Sequence, residues 1–295
     1  MKSIEQSRSS METFLQKFSG SSVLYLPNPG NAGDALIAHG TYEAFRRRAI
    51  DYTIIDLNAN VEGKVVFLSG GGNLVPLYHS VEAALNRFLK RAAHIVLLPH
   101  TIRGHEVLIS RLDESCTIFC RDAPSYEHVT SLNQRSHVAL EHDMAFHIDA
   151  QSFIEDDVHA ALFMPIVKQK LAERGLKNIA DRPAVDFFRL DLESTKSNPV
   201  TTMDPSIDFS LGPKGGWPDE ARKATWCMLK AVSMARKVRT DRLHVGISCA
   251  LMSTACELYD NSYGKNASVY RHSLRNRTPF IEFKKEDEVS FLAEA

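Results

Sequence analysis

The chain holds 295 residues, with 35 Lys plus Arg against 36 Asp plus Glu, a formal charge of −1. That balance excludes a protein held on duplex nucleic acid by a basic excess, and 44% hydrophobic with 24% charged residues excludes a disordered chain. At roughly 100–200 residues per domain the length admits two domains or one large one, and either buries a core without covalent staples. Five cysteines, Cys116, Cys120, Cys227, Cys249 and Cys256, form an odd set with no CxxC pair. Neither a disulfide framework nor a zinc ribbon is signalled, and a reducing compartment is expected. The first twenty residues are polar and lack an apolar signal core, and no later run approaches the ~18 apolar residues of a membrane span. A cytoplasmic location is expected.

In chain order, short β-branched runs alternate with amphipathic segments. VLYLP (Val23 to Pro27) precedes a helical stretch from Ala35 to Arg48; TIIDL (Thr53 to Leu57) and VVFLSG (Val65 to Gly70) precede a helix from Leu77 to Ala93. HIVLLP (His94 to Pro99) leads to a shorter helix over Glu106 to Asp113. CTIFCRD (Cys116 to Asp122) opens a helix that Asp122 is placed to cap, with Pro124 in its first turn. HVALEHD (His137 to Asp143) closes the series. Strands that are apolar throughout and separated by helices predict a parallel, doubly wound α/β sheet.

After Ile148 the pattern loosens. A helix over Val158 to Gly175 and a strand over Val185 to Ser194 precede a loop from Ser194 to Asp219, rich in Pro, Gly, Ser and Thr and read as a mobile segment. A helix from Asp219 to Lys237, the segment VRTDRLHVGISCALM, a strand ELYD (Glu257 to Asp260) and a last helix after Tyr263 complete the chain. About three strands are visible in this half, which predicts a reduced second α/β domain with a boundary near residue 150.

Five polar motifs punctuate these elements. NPGNAGD (Asn28 to Asp34) follows the first strand and opens the first helix, where backbone N–H groups can approach an anion; the plain alternative is a tight turn capped by Asp34. It is not the GxGxxG fingerprint, so a dinucleotide site is not supported. SGGGN (Ser69 to Asn73) puts three glycines at a strand end, where they weaken the fold unless something approaches closely. LPHT (Leu98 to Thr101) sets His100 on the lip of the next strand, and Arg121 with Asp122 ends the one after. TDRLH (Thr240 to His244) sits at a strand-to-helix junction, where Arg242 and His244 can grip an anion with help from the helix dipole; the alternative for Arg242 is an ordinary surface ion pair. NSYGKNASVYRHS (Asn261 to Ser273) offers Lys265 as a phosphate ligand, with Arg271 and His272 on a solvated face.

In this order the five motifs resemble the polysaccharide pyruvyl transferase family. The carrying residues are NPGNAGDALI (Asn28 to Ile37), SGGGN, LPHT, the FCRD segment with Ser125 and Tyr126, TDRLHVGISCALM (Thr240 to Met252) and DNSYGKN (Asp260 to Asn266). The resemblance implies a GT-B-like α/β fold. It would consist of two Rossmann-type domains with parallel sheets, residues 1–150 and a reduced 151–295, and an active site in the interdomain cleft. It also implies transfer of a pyruvyl group from phosphoenolpyruvate to two hydroxyls of a sugar, as a cyclic ketal, in bacterial exopolysaccharide or cell-surface polysaccharide biosynthesis. The family's Arg-Leu-His falls on Arg242, Leu243 and His244, and its Arg-Asp on Arg121 and Asp122. Many relatives carry a Pro-Gln-Ser type segment where this chain has Pro-His-Thr, which singles out Arg242 over His100.

A doubly anionic donor needs two cationic or N–H-rich clamps, for which Arg121, Arg242, Leu243, Lys265 and the turns at Asn31, Gly33, Gly71, Gly72 and Asn73 are the candidates. Proton delivery to C3 and removal from the attacking hydroxyl fall to His100, His244 and Asp34. No cofactor is expected beyond phosphoenolpyruvate as donor substrate, and no metal, since no dense carboxylate or histidine cluster has ligand spacing. The acceptor is a sugar that the resemblance allows to be a lipid-linked oligosaccharide. Basic residues over 45–48 and 87–91 are read as solvated helix faces, with peripheral contact at the inner face of the membrane as the alternative. Two other functions share the same features: a GT-B glycosyltransferase using a nucleotide sugar, and a non-catalytic sugar- or anion-binding module of a polysaccharide assembly complex.

Overall fold

The computed structural model describes residues 8–195, 201–212 and 214–284. The chain divides into two compact units. The first runs through Ile148 and takes in Leu211–Arg222; the second comprises Asp149–Ser210 and the chain from Lys223.

The first unit begins with α1 (Ser9–Leu15), β1 (Ser22–Leu26), α2 (Ala32–Arg47), β2 (Asp51–Ile54), β3 (Val65–Leu68) and β4 (Gly71–Leu74). It continues with α3 (Ser80–Phe88), β5 (His94–Ile102), α4 (Glu106–Arg111), β6 (Cys116–Cys120), α5 (Ala123–Leu132) and β7 (His137–Leu140). The seven strands form one sheet of order β2-β1-β3-β5-β6-β7, with β4 paired to β5. Each pairing is parallel, as apolar strands joined by helical crossovers require. The strand order reverses between β1 and β3, the position at which open α/β sheets present a ligand crevice. Val66, Leu68, Ile95, Leu97 and Ile118 fill one core face beneath Leu85 and Phe88 of α3.

Pro99 shapes the centre of this sheet. Proline has no N–H to donate to a central ladder, and the β5–β6 register shifts between Leu97 and His100. On the other side β3 pairs with β5 only as far as Leu97, and β4 takes over with Gly71 opposite His100. The strand therefore continues to Ile102 rather than stopping at the proline, and LPHT lies inside it.

The second unit contains α6 (Ala150–Glu155), α7 (Asp157–Glu173), β8 (Val185–Asp186), α8 (Pro205–Asp208), the part of α9 (Pro218–Ser233) from Lys223 onward, β9 (Lys237–Thr240), α10 (Leu243–Met252), β10 (Ala255–Leu258), α11 (Lys265–Val269) and β11 (Ile281–Phe283). Its four strands are parallel in the order β11-β10-β9-β8. Both units are thus Rossmann-like layers of parallel strands and helices, the pair of sheets that a GT-B-like fold contains.

Three expectations change here. The strand from Val185 ends at Asp186, because after Phe187 the backbone leaves the sheet: the Arg189 N–H donates to the Asp241 carboxylate at 2.8 Å. The short β11 completes a fourth strand where three were visible. Of the loop expected over Ser194 to Asp219, residues 196–200 and 213 lie outside the described residues. The rest holds α8, capped by Asp204, and a turn over Lys214–Trp217.

Candidate functional site

The turn after β1 is organised by its own side chains. Asn31 caps α2 by accepting from the Gly33 N–H at 2.8 Å, and Asp34 accepts from the Asn31 N–H at 3.1 Å, a reciprocal capping box. The helix consequently starts at Ala32, three residues before the expected Ala35. Both N–H donors proposed for an anion are consumed by this box, and the Asp34 carboxylate is part of it.

The two glycine-rich segments meet. The amide of Asn28 donates to the Gly70 carbonyl at 2.8 Å, and the amide of Asn73 donates to the Asn28 side-chain oxygen at 3.1 Å and to Ser80 Oγ at 2.8 Å. Gly71 adopts φ 147°, and a Cβ there would stand 2.8 Å from the Asn28 amide nitrogen, so this approach requires glycine. Gly72 and Asn73 remain half-buried beside it.

His100 lies beneath that backbone rather than on a lip. It is fully buried, and its Nε2 accepts from the Asn73 N–H at 3.2 Å. Burial, aided by the Arg121 charge, pushes its pKa down to about 3, so the ring is neutral at physiological pH. Where a catalytic acid or base at a strand lip was expected, the structure places a buried ring that holds the Asn73 N–H.

Arg121 is likewise enclosed, 1% exposed. It donates to Asp143 at 2.6 Å and to Thr101 Oγ1 at 2.9 Å; Thr101 donates in turn to Asp122, which caps α5 and receives Arg103 at 3.0 Å. This network ties the ends of β5 and β6 together. Where a substrate clamp was expected, the Arg121 guanidinium is buried and paired with Asp143 and Thr101.

At the reversal of strand order lies a pocket of about 220 Å³, lined by Asn28, Asp56, Leu57, Ser69, Ser80, Trp217 and neighbouring apolar residues of β1, β3 and α3. The sequence reading missed Trp217. Its signal is the Gly215-Gly216 pair before it: a Cβ on Gly216 would stand 2.4 Å from the Asn28 carbonyl oxygen, and one on Gly215 2.8 Å from that of Gly30. Tyr42 pins the turn by donating to the Gly216 carbonyl at 2.5 Å, and Lys214 lies 4.0 Å over the indole. Trp217 stays 40% exposed at the pocket edge.

In the second unit, β9 delivers Asp241 and Arg242 to the start of α10. Arg242 is 4% exposed; it makes a two-pronged bond to Asp204 at 3.0 and 2.5 Å, and Nη1 lies 2.7 Å from Asp191. Arg189 bonds Asp191 at 2.8 Å and Glu193 at 2.6 Å, and Lys265 reaches the same Glu193 oxygen at 2.6 Å. Burial disfavours the charge of Asp191, yet Arg242 and Arg189 hold its pKa below the usual carboxylate value. Burial pushes Asp241 up to about 6. Leu243 and His244 are the first two residues of α10, Leu243 buried and His244 half-buried. Arg242 and Lys265 are therefore buried and matched with carboxylates, where exposed anion ligands or a surface pair had been expected. Of these carboxylates, Asp191, with 36% of its side chain exposed, is the one open to exchange. The sequence reading missed Arg189, Asp191, Glu193 and Asp204.

Among the described residues no group of three or more His, Cys, Asp or Glu is placed to hold a metal ion, and no helix is long and apolar enough to cross a membrane. The five cysteines are buried and free.

Comparison with known proteins accords with this arrangement. EpsO of Bacillus subtilis (strain 168), named provisionally as a pyruvyl transferase, is 25% identical over 92% of this chain and 94% of its own. General stress protein 30 of the same organism is 22% identical over 90% of this chain and 81% of its own. A crystal structure of an uncharacterized protein from Klebsiella pneumoniae subsp. pneumoniae NTUH-K2044 superposes with a TM-score of 0.74 at 27% identity, covering 94% of this chain and 98% of that one. The polysaccharide pyruvyl transferase family matches residues 31–263, which include Asn31 to Asp34, the Ser69 to Asn73 segment and Arg242, and the chain belongs to that family.

Proposed function

We propose that the chain transfers the pyruvyl group of phosphoenolpyruvate to two hydroxyls of a sugar, releasing inorganic phosphate and closing a cyclic ketal on a bacterial exopolysaccharide, a cell-surface polysaccharide or its lipid-linked precursor. Beyond the family membership, one observation carries this reading: three buried cations, Arg189, Arg242 and Lys265, gathered around carboxylates of which Asp191 is open to exchange, at the start of α10. A carboxylate bound by arginine is a stand-in for the carboxylate or phosphate of the donor. Phosphoenolpyruvate would displace Asp191 from Arg242, while Asp204 keeps the guanidinium oriented.

The chemistry then balances without a redox partner. One sugar hydroxyl adds to C2 as a proton is delivered to C3, which becomes the methyl group. The C2–O bond to phosphate breaks, and the second hydroxyl attacks C2 with loss of its proton. Cations on the departing phosphate lower the barrier to that cleavage. Of the three acid–base candidates we retain His244, half-buried beside Arg242, since His100 is neutral and enclosed and Asp34 closes a capping box. A phosphoenolpyruvate donor places the reaction in the cytoplasm, at the inner face of the membrane where the acceptor is lipid-linked.

The test follows phosphate release from phosphoenolpyruvate across a panel of sugars, with nucleotide sugars as the competing donors. Sugar-dependent phosphate release is expected, and Arg242→Lys, which keeps the buried charge but loses the two-pronged geometry, lowers it about 100-fold or more. Turnover of a nucleotide sugar with none of phosphoenolpyruvate would contradict the proposal.

A further inference from the structure

The pocket at the β1/β3 reversal has a chemistry unlike that of the cation cluster, and its residues name its ligand. Its lining includes no lysine or arginine; the one charged residue is Asp56. The N–H groups of the neighbouring helix start are occupied by the Asn31–Asp34 capping box. No cation of the lining is therefore there to hold an anion. A volume of about 220 Å³ is also smaller than the ~300–1000 Å³ of sites for larger ligands, so a dinucleotide does not fit.

What remains is a neutral, hydroxyl-bearing ring with an apolar face. Trp217 supplies an aromatic wall, and Lys214, which is not among the lining residues, lies over its indole ring. Leu57 extends the apolar wall and is 36% exposed. Hydroxyl partners stand around this wall: Asp56, with one carboxylate oxygen bonded to the Asn58 N–H at 2.7 Å and the other left to accept, and Asn28, Ser69 and Ser80. An aromatic platform ringed by a carboxylate, an amide and hydroxyls is the arrangement that recognises a pyranose, whose C–H face stacks on a π system while its hydroxyls bond at the rim.

The platform is also rigidly held. Gly215 and Gly216 bring the Lys214–Trp217 turn onto the backbone of residues 27–30 closer than a Cβ permits, and the buried Tyr42 hydroxyl clamps the Gly216 carbonyl. A tryptophan left half-exposed on so tightly fixed a turn is preorganised for a ligand.

We propose that this pocket binds one hexopyranose unit of the acceptor, stacked on Trp217, with hydroxyls held by Asp56, Asn28 and Ser80. The proposal rests on the pyruvyl-transfer reading only for the word acceptor. The pocket's preference for an uncharged sugar follows from its own residues.

The chain has two tryptophans, and Trp226 is fully buried, so sugar-dependent changes in emission report on Trp217. The probes are methyl glycosides of glucose, galactose, mannose and their N-acetylamino derivatives, titrated into the full chain and into Trp217→Phe, with uridine and ADP as counter-probes. At least one glycoside is expected to quench or shift the wild-type emission and leave that of Trp217→Phe unchanged. In turnover, Trp217→Ala raises the acceptor KM about tenfold and leaves the phosphoenolpyruvate KM unaltered, and Trp217→Tyr restores most of the loss. A larger response to a nucleotide than to any sugar overturns the assignment, as does an acceptor KM unmoved in Trp217→Ala. A Trp217-dependent sugar response without pyruvyl transfer upholds the pocket and defeats the donor chemistry. Transfer with no such response upholds the chemistry and defeats the pocket.

Discussion

Replacing Gly216 by alanine tests whether the Lys214–Trp217 turn is held by close approach. An added Cβ would lie 2.4 Å from the Asn28 carbonyl oxygen and 2.8 Å from Pro27 Cβ. Neither neighbour is the free end of a flexible side chain, so the turn itself must rise. Doing so breaks the 2.5 Å bond from Tyr42 to the Gly216 carbonyl. Burial pushes the Tyr42 pKa far up, so this hydroxyl remains a donor at every accessible pH. A lost hydrogen bond costs about 1 kcal/mol, and a buried hydroxyl left unsatisfied about 1–3 kcal/mol; the sum predicts a loss of roughly 2–4 kcal/mol. At an m-value of about 2 kcal/mol/M, equilibrium urea unfolding followed by far-UV circular dichroism would show the first unit's midpoint falling by about 1–2 M. Gly63→Ala is the control. Gly63 has φ 64° with nothing within 4 Å of an added Cβ, so it carries backbone strain alone, about 1 kcal/mol. If Gly216→Ala costs no more than Gly63→Ala, the turn is not clamped and the rigid platform has no basis.

Other predictions follow from the same contacts. Asp191→Asn weakens the competitor for Arg242 and should lower the phosphoenolpyruvate KM about threefold or more; an increase would mean that Asp191 helps to bind the donor. Glu12 joins α1 to Arg47, Arg48 and His147; burial opposes its charge, but those bonds hold its pKa at about 2, below the ordinary value of 4.5. Its stabilisation is full above pH 4.5 and fades as pH falls toward 2; Glu12→Gln should cost about 2 kcal/mol at pH 7 after allowance for solvent screening and flatten that part of the stability–pH curve. His100, with its pKa near 3 in the folded chain against 6.5 unfolded, binds a proton more readily when unfolded, so stability should decline as pH falls from 6.5 toward 3. His100→Gln should abolish that decline and leave the pH dependence of kcat between pH 5 and 8 unchanged; a lost acidic or basic limb there would restore His100 to a proton-transfer role.

The first sheet was legible because buried parallel strands are uninterrupted apolar runs, and helix starts declare themselves through residues such as Asp122 and Pro124. Pro99 obscured the rest of β5: a proline inside a central strand is tolerated only because β4 replaces β3 as its partner, and that exchange is a tertiary event. The polar motifs were visible as residues but not as partnerships. Arg121 and Arg242 read as free cations, whereas the carboxylates that hold them, Asp143 and Asp204, are 22 and 38 positions away. Asp191 and Glu193 alternate with Leu190 and Leu192 in a pattern that imitates a strand, yet those leucines are 79% and 87% exposed, and the acidic residues turn back to Arg189. Trp217 was hidden in a loop whose glycines looked like flexibility and instead mark close contact.

The central claim is that pyruvate carbon moves from phosphoenolpyruvate to a sugar as a ketal. Carbon-13 at C2 of phosphoenolpyruvate follows that atom directly when the enzyme is incubated with the sugars that release phosphate. The account predicts that the label leaves the enol region of the spectrum and reappears as a quaternary ketal carbon on the acceptor, with one inorganic phosphate per ketal and neither product formed without the sugar. Label recovered only as free pyruvate, or phosphate released equally well without an acceptor, would contradict it.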